Sequence, residues 1–213
     1  MKPRVVSDPA DYRAEVRADA SRRMVDLRAA VPGLVVDLRY ATANNFLRAV
    51  VYEEGRPLLR AAAAARLREV EEELKGSGLG LILYDAYRPY FVTRRMWAEQ
   101  ATRYAAYMSP PWLGSDHNRG VAVDVGLVDL KTGRPLPMPT DFDAFEARAG
   151  QDWPAAKLPP EAAADRARLL DAMTRHGFHP FAGEWWHFAL NGAKEYSLLD
   201  LPFSAFEKAP GKE

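Results

Sequence analysis

Cysteine is absent from the 213 residues, which excludes a disulfide scaffold and any thiolate-ligated metal or cluster. An excess of either charge is missing too, with 29 Lys and Arg against 29 Asp and Glu. No broad basic surface is therefore available to hold nucleic acid. No apolar run approaches the roughly 20 residues that a membrane helix requires. Internal repeats and glycine- or serine-rich linkers are lacking, and Ala61–Ala65 is the single low-complexity tract. What is present argues for order: hydrophobic residues make up 48% of the chain, and this length suits one domain with a real core. Any chemistry falls to His, carboxylate, Ser, Tyr or Arg side chains.

The N-terminus, MKPRVVSDPADYRAEVRADASRR, carries no apolar stretch of signal-peptide length. The expected location is the cytoplasm, or the periplasm or exterior if a leader has been removed. Residues 1–30 read as a peripheral, helical N-terminal segment, with a polar helix over 10–30. Leu34, Val36, Leu38 and Tyr40 alternate with polar or smaller neighbours and predict a half-buried strand over 34–40. Leu59, Ala63, Leu67, Val70 and Leu74 fall on one helical face, ended by Gly76 and Gly78. The run 79–87, LGLILYDAY, is apolar on both faces and predicts a central strand. Arg88-Pro89 then hands over to a helix, with Trp97 in its core face. Residues 131–160 show little periodicity and read as a long surface excursion, a type of loop that is often functional. Ala163, Ala167, Leu170 and Met173 mark a further helix before Gly177. The fold class expected is α+β: one domain over 1–213, a small antiparallel sheet flanked by helices, and a motif-bearing core over 34–190.

Two segments concentrate chemistry. In Val121–Val128, Val121, Val123, Val125 and Leu127 face a core, leaving Asp124 between the small Ala122 and Gly126. Gly120 lets His117 turn to the same side. In 185–190, His187 lies opposite the apolar face of Trp186, Phe188 and Leu190, with Glu184 at the strand's start. Two His, one Asp and a free Glu form the set that a catalytic zinc site uses, with the Glu moving protons. The competing reading is a hydrogen-bonded core His and a turn Asp. His176, at a helix end before Gly177, reads as a structural cap. His179 reads as structural, with ligation in place of Asp124 as the alternative.

Ser115-x-His117-x-x-Gly120-x-Ala122-x-Asp124, together with Glu184-x-Trp186-His187, resembles the VanX-type D-alanyl-D-alanine dipeptidases of the zinc DD-peptidase superfamily. Asp37-Leu38-Arg39-Tyr40-Ala41-Thr42, Asn45-Phe46 and Tyr84-Asp85-Ala86-Tyr87-Arg88-Pro89 extend the similarity. The resemblance implies one Zn2+ per chain on His117, Asp124 and His187, with Glu184 as catalytic base and acid and Arg88 stabilising the oxyanion. Ser115, Tyr40 and Asp143 would bind substrate, Asp143 facing a free amino group; the alternative for Asp143 is a solvated loop carboxylate. Val125-Gly126 and Pro139 depart from the family's pattern and are expected to reshape the pocket wall. The implied function is hydrolysis of D-Ala-D-Ala, and the implied partner is that small D,D-dipeptide, with no nucleic acid, membrane or obligatory protein partner. The rivals are a D,D- or L,D-carboxypeptidase acting on longer peptidoglycan stems and a non-catalytic zinc-bearing binding module.

Overall fold

The chain forms fourteen regular elements in the computed structural model, which describes residues 3–206. In order these are β1 (Val5–Val6), α1 (Pro9–Ala18), β2 (Met24–Asp26), α2 (Leu27–Ala30), β3 (Val35–Val36), β4 (Leu58–Arg60) and α3 (Ala61–Lys75). There follow β5 (Leu79–Asp85), α4 (Tyr90–Tyr104), β6 (Ala122–Asp129), α5 (Pro160–Arg175), β7 (Phe178–Pro180), β8 (His187–Leu190) and β9 (Leu198–Leu199). Local chemistry accounts for the helix starts. Asp8 caps α1 by accepting from the Ala10 N–H at 2.7 Å, with Pro9 at the first helical position. Pro160 likewise takes the first helical position of α5, there without a side-chain cap.

A five-stranded sheet in the order β3-β5-β6-β8-β7 organises the molecule. Its four strands from β5 to β7 pair antiparallel, and only β3 joins parallel. All seven residues of β5 are buried, as expected for a strand covered on both faces. Leu81 pairs with Leu127 and Leu83 with Val125, and these lie in one apolar core with Leu67 and Val70 of α3 and Leu169 and Met173 of α5. A second, aromatic cluster gathers Tyr12, Tyr40, Tyr52, Tyr87, Phe203 and Phe206 around Val92 and Met96 of α4. The α+β class with helices flanking a small sheet is thus as expected.

Three local expectations need correction. The 10–30 segment is not one helix but α1, β2 and α2, because Asp19 and Asp26 each end one element and cap the next turn. The strand predicted over 34–40 shrinks to β3. Its pairing edge on β5 ends at Leu83, where β5 bulges and the chain of β3 bends away. Tyr40 consequently lies on the turn Arg39–Ala41, buried among aromatics. Trp97 is half-buried, edge-on to the exposed Trp112 at 5.5 Å, rather than core.

Candidate metal centre and its pocket

The site grows from one row across the sheet. Asp124 on β6 pairs with His187 on β8 and, on its other side, with Asp85 on β5. Directly paired residues project to the same face of a sheet. Asp85 owes its place to the bulge: the register shifts between Leu83 and Asp85, so one extra β5 residue is accommodated there. Such a bulge re-aims the side chain that follows it.

His117 arrives from outside the sheet, on the turn His117–Arg119, which Gly120 ends at φ 67°. Glycine enters that left-handed region without steric cost. A Cβ at this position would also meet the Met24 Sδ at 2.9 Å. Hydrogen bonds then lock the turn. The Ser115 N–H donates to Asn118 Oδ1 at 2.9 Å, and Asn118 Nδ2 donates to the Arg88 carbonyl and to Thr93 Oγ1, each at 2.8 Å. The Arg88 N–H donates back to the His117 carbonyl at 3.2 Å. Arg88 and His117 are therefore held as one unit.

Three donor atoms converge. His117 Nε2 lies 3.2 Å from Asp124 Oδ1 and 3.1 Å from His187 Nδ1, which is 3.0 Å from the same Asp124 oxygen. Ligands about 2.0–2.1 Å from one tetrahedral ion stand roughly 3.3 Å apart, so the triangle fits a metal ion with little rearrangement. Two imidazoles and a carboxylate suit zinc, and three protein ligands leave a position open for water or substrate. The tautomer is also set. His117 Nδ1–H donates to the Ala86 carbonyl at 2.6 Å, turning the Nε2 lone pair toward the other donors. Burial alone would raise the Asp124 carboxyl, but the charges and hydrogen bonds of His117 and His187 outweigh it and hold the group below the usual range.

A cavity of about 410 Å³ opens beside this triangle, and its lining includes Arg88, Ser115, Asp143, Glu184 and Tyr40. Burial, then the negative fields of Asp124 and Asp143, push the Glu184 carboxyl well above its ordinary value, against the pull of Arg88 and a hydrogen bond from the Trp186 side chain. Asp143 sits at φ 62°, a conformation that costs a non-glycine residue about 1–3 kcal/mol and tends to mark functional sites. The Tyr40 hydroxyl donates to its Oδ1 at 3.0 Å and the Phe46 N–H to its Oδ2 at 3.3 Å. Burial and the Asp124 charge still push the Asp143 carboxyl up to about 7. Arg88 keeps its proton: burial works against the charge, and Asp85 overrides it.

Every residue expected at the site thus borders one cavity, with His117, Asp124 and His187 in contact. The 131–160 excursion is anchored rather than loose, since the Trp185 Nε1–H donates to Thr140 Oγ1 at 3.0 Å and Phe142 stacks on Tyr84 at 4.9 Å. His179 lies exposed on β7, hydrogen-bonded through Nδ1 with Asn191 Oδ1 at 3.2 Å. His176 stands at the end of α5, its ring nitrogens 3.3 Å from Glu69 Oε2 and 2.8 Å from Glu73 Oε2. Val125, Gly126 and Pro139 do not line the cavity, contrary to the expectation that they reshape its wall. A Cβ at 126 would instead come within 3.0 Å of the Tyr84 hydroxyl.

Sequence reasoning missed Asp85, Asn118 and Lys194. The first two lie inside the quoted motifs, yet nothing in a linear pattern reveals a bulge or a side-chain clamp. Lys194 follows the last strand of the site, lines the cavity and donates to Asp116 Oδ1 at 2.7 Å; no signal marked it.

Comparison with known proteins finds relatives along most of the chain. The D-alanyl-D-alanine dipeptidase of Escherichia coli (strain K12) is 37% identical over 183 residues, covering 86% of this chain and 92% of that protein. The D-alanyl-D-alanine dipeptidase of Enterococcus faecium is 32% identical over 191 residues, covering 81% of this chain and 94% of that protein. Among solved structures, the LdcB LD-carboxypeptidase covers 68% of this chain and 66% of its own at 20% identity and a TM-score of 0.42, too distant to bear on the reaction. The family described as "D-ala-D-ala dipeptidase" matches residues 20–209. With the match spanning almost the whole chain and such relatives aligned along nearly their full length, the chain belongs to the Peptidase_M15 family.

Proposed function

We propose that the protein is a zinc D,D-dipeptidase that hydrolyses D-Ala-D-Ala, with His117, Asp124 and His187 as the metal ligands. One observation carries the reading. A single cavity of about 410 Å³ holds the three-donor triangle, a buried carboxylate beside it, a half-buried guanidinium and a second carboxylate at its wall. When bound, zinc lowers the pKa of a water molecule to about 7 and polarises the amide carbonyl.

The chain's own residues supply the remainder. Glu184, excluded from bulk water, takes a proton from the attacking water and returns it to the leaving amine. Burial and the neighbouring carboxylates raise its proton affinity, which favours its taking the proton. Arg88 offers a fixed positive charge to the carbonyl oxygen as negative charge develops there. Asp143 pairs with the substrate's ammonium group, and the Tyr40 hydroxyl aims its carboxylate. Ser115 borders the same space. Lys194 gives the substrate's carboxylate a cation at the cavity rim. Matching one group to each end of a free dipeptide favours exopeptidase action on a very small substrate over action on a long stem. The setting this implies is the removal or recycling of a cell-wall precursor dipeptide.

The test compares D-Ala-D-Ala with its N-acetyl derivative and with a longer peptide ending in D-Ala-D-Ala. A blocked amine leaves Asp143 desolvated and unpaired, so kcat/KM is expected to fall at least 100-fold for both, on the order of the discrimination that an unpaired polar group produces. Comparable values on all three would move the protein to the carboxypeptidase reading.

A further inference from the structure

Arg88 carries one of the largest demands in the proposed reaction, yet arginine is a long side chain with many rotamers. Something must fix its head group before substrate arrives. Asp85 is fully buried. It spends one oxygen on Arg88, accepting from Nη2 at 2.6 Å and from Nε at 3.1 Å. Its other oxygen accepts the Tyr52 hydroxyl at 2.7 Å. Tyr52 is itself buried, and its ring meets the Tyr40 ring edge-on at 5.9 Å. The Arg88 guanidinium lies over that same Tyr40 ring, 5.0 Å from its centroid. The head group is thus held by hydrogen bonds to Asp85 and stacked on an aromatic ring.

A different role for Asp85 would be to orient His117, as carboxylates often do for metal-ligating histidines. The distances argue against it. His117 Nδ1 is 3.7 Å from Asp85 Oδ2, beyond hydrogen-bond range, and already donates to the Ala86 carbonyl at 2.6 Å. The β5 bulge supplies the reason that this carboxylate is available at all, since it brings Asp85 opposite Asp124.

We propose that Asp85 and Tyr52 are positioning residues that set the Arg88 guanidinium for the carbonyl oxygen, Asp85 by direct pairing and Tyr52 by holding Asp85. The proposal deepens the dipeptidase reading and rests on the role given there to Arg88. A guanidinium displaced by about 1 Å costs on the order of 100-fold in rate, and loss of one oxyanion donor costs about 10²–10³-fold.

The experiment is a double-mutant cycle on the zinc-loaded enzyme, with zinc content and thermal unfolding measured for every variant. Asp85→Asn keeps the volume and one acceptor oxygen. It should lower kcat about 10–100-fold and change KM less than about 3-fold, at unchanged zinc content. Tyr52→Phe removes only the hydroxyl and should lower kcat about 2–10-fold, which keeps the proposal testable if the Asn variant folds poorly. The discriminating result is non-additivity: either change, added to Arg88→Ala, should cost almost nothing further. Losses that multiply in the double variants would overturn the proposal, since Asp85 and Tyr52 would then act independently of Arg88. Wild-type rates in both single variants would overturn it as well. An Arg88→Ala enzyme of near wild-type rate would overturn the role of Arg88 itself and the positioning claim with it.

Discussion

Replacing Asp143 with Asn should weaken the enzyme and strengthen the fold, and the second effect should depend on pH. The carboxyl is pushed up to about 7 by burial and by the Asp124 charge, against about 3.9 for an unperturbed Asp. Between those values the folded protein binds a proton that the unfolded chain has released, so this group's contribution to stability declines as pH rises across that window. The penalty is absent below about pH 4 and complete above about pH 7. About three units at 1.36 kcal/mol each give an upper figure of ~4 kcal/mol. The side chain stays partly exposed, so solvent screening brings the expected gain to about 2 kcal/mol. In a chain of this length that corresponds to a rise in Tm of roughly 4–8 °C. The assay is urea or thermal unfolding of metal-free wild type and Asp143→Asn at pH 5 and pH 8. The variant should lead clearly at pH 8 and much less at pH 5, and zinc should shrink the gap by stabilising the wild-type carboxylate. An offset that is equal at both pH values, or a variant less stable at pH 8, would refute the reasoning. The same substitution should raise KM for D-Ala-D-Ala and leave zinc content unchanged, which separates binding from metal retention.

Other outcomes follow from the same geometry. His187→Ala should lose most bound zinc by metal analysis, whereas His179→Ala, altering an exposed residue of β7, should keep about one zinc per chain; the reverse would unseat the ligand assignment. Glu184→Gln should retain zinc and fold yet lose about 10²–10⁴-fold in kcat, and a variant holding more than a tenth of wild-type rate would remove Glu184 from proton transfer. Gly120→Ala should cost about 2–4 kcal/mol, combining a left-handed backbone with the crowding against Met24; a denaturant midpoint unchanged from wild type would show that the turn tolerates a Cβ.

What was readable beforehand follows the physics of each element. Period-two alternation over 121–128 is a long-range statement in disguise, because it fixes which side chains share a face. It led to Asp124 and, through the same logic at 185–190, to His187. Gly120 was legible as a break since few other residues accept the conformation it adopts. The 34–40 alternation misled for the opposite reason: a strand needs an edge to pair with, and the bulge in β5 that ends this edge leaves no trace in β3's own sequence. Asp85 was invisible in the same sense, as its partners Arg88 and Tyr52 become neighbours only after β5 bulges and Tyr52 folds back 33 residues away in sequence. Asp143 was expected at the pocket from resemblance alone, for no periodicity reaches into 131–160, and in the structure it lines the cavity.

The division of labour between sheet and loop has an evolutionary consequence. Asp124 and His187 are rungs of a ladder whose register is enforced by backbone pairing and by cores on both faces, so drift there is heavily constrained. Asp143 sits on an irregular segment, tied by a hydroxyl, one backbone N–H and a few aromatic contacts. Insertions or exchanges within 131–160 can therefore change which end of a peptide is admitted without touching the atoms that gather the metal. A lineage could move from free dipeptides to longer chains by remodelling this one loop, inheriting its hydrolytic chemistry intact.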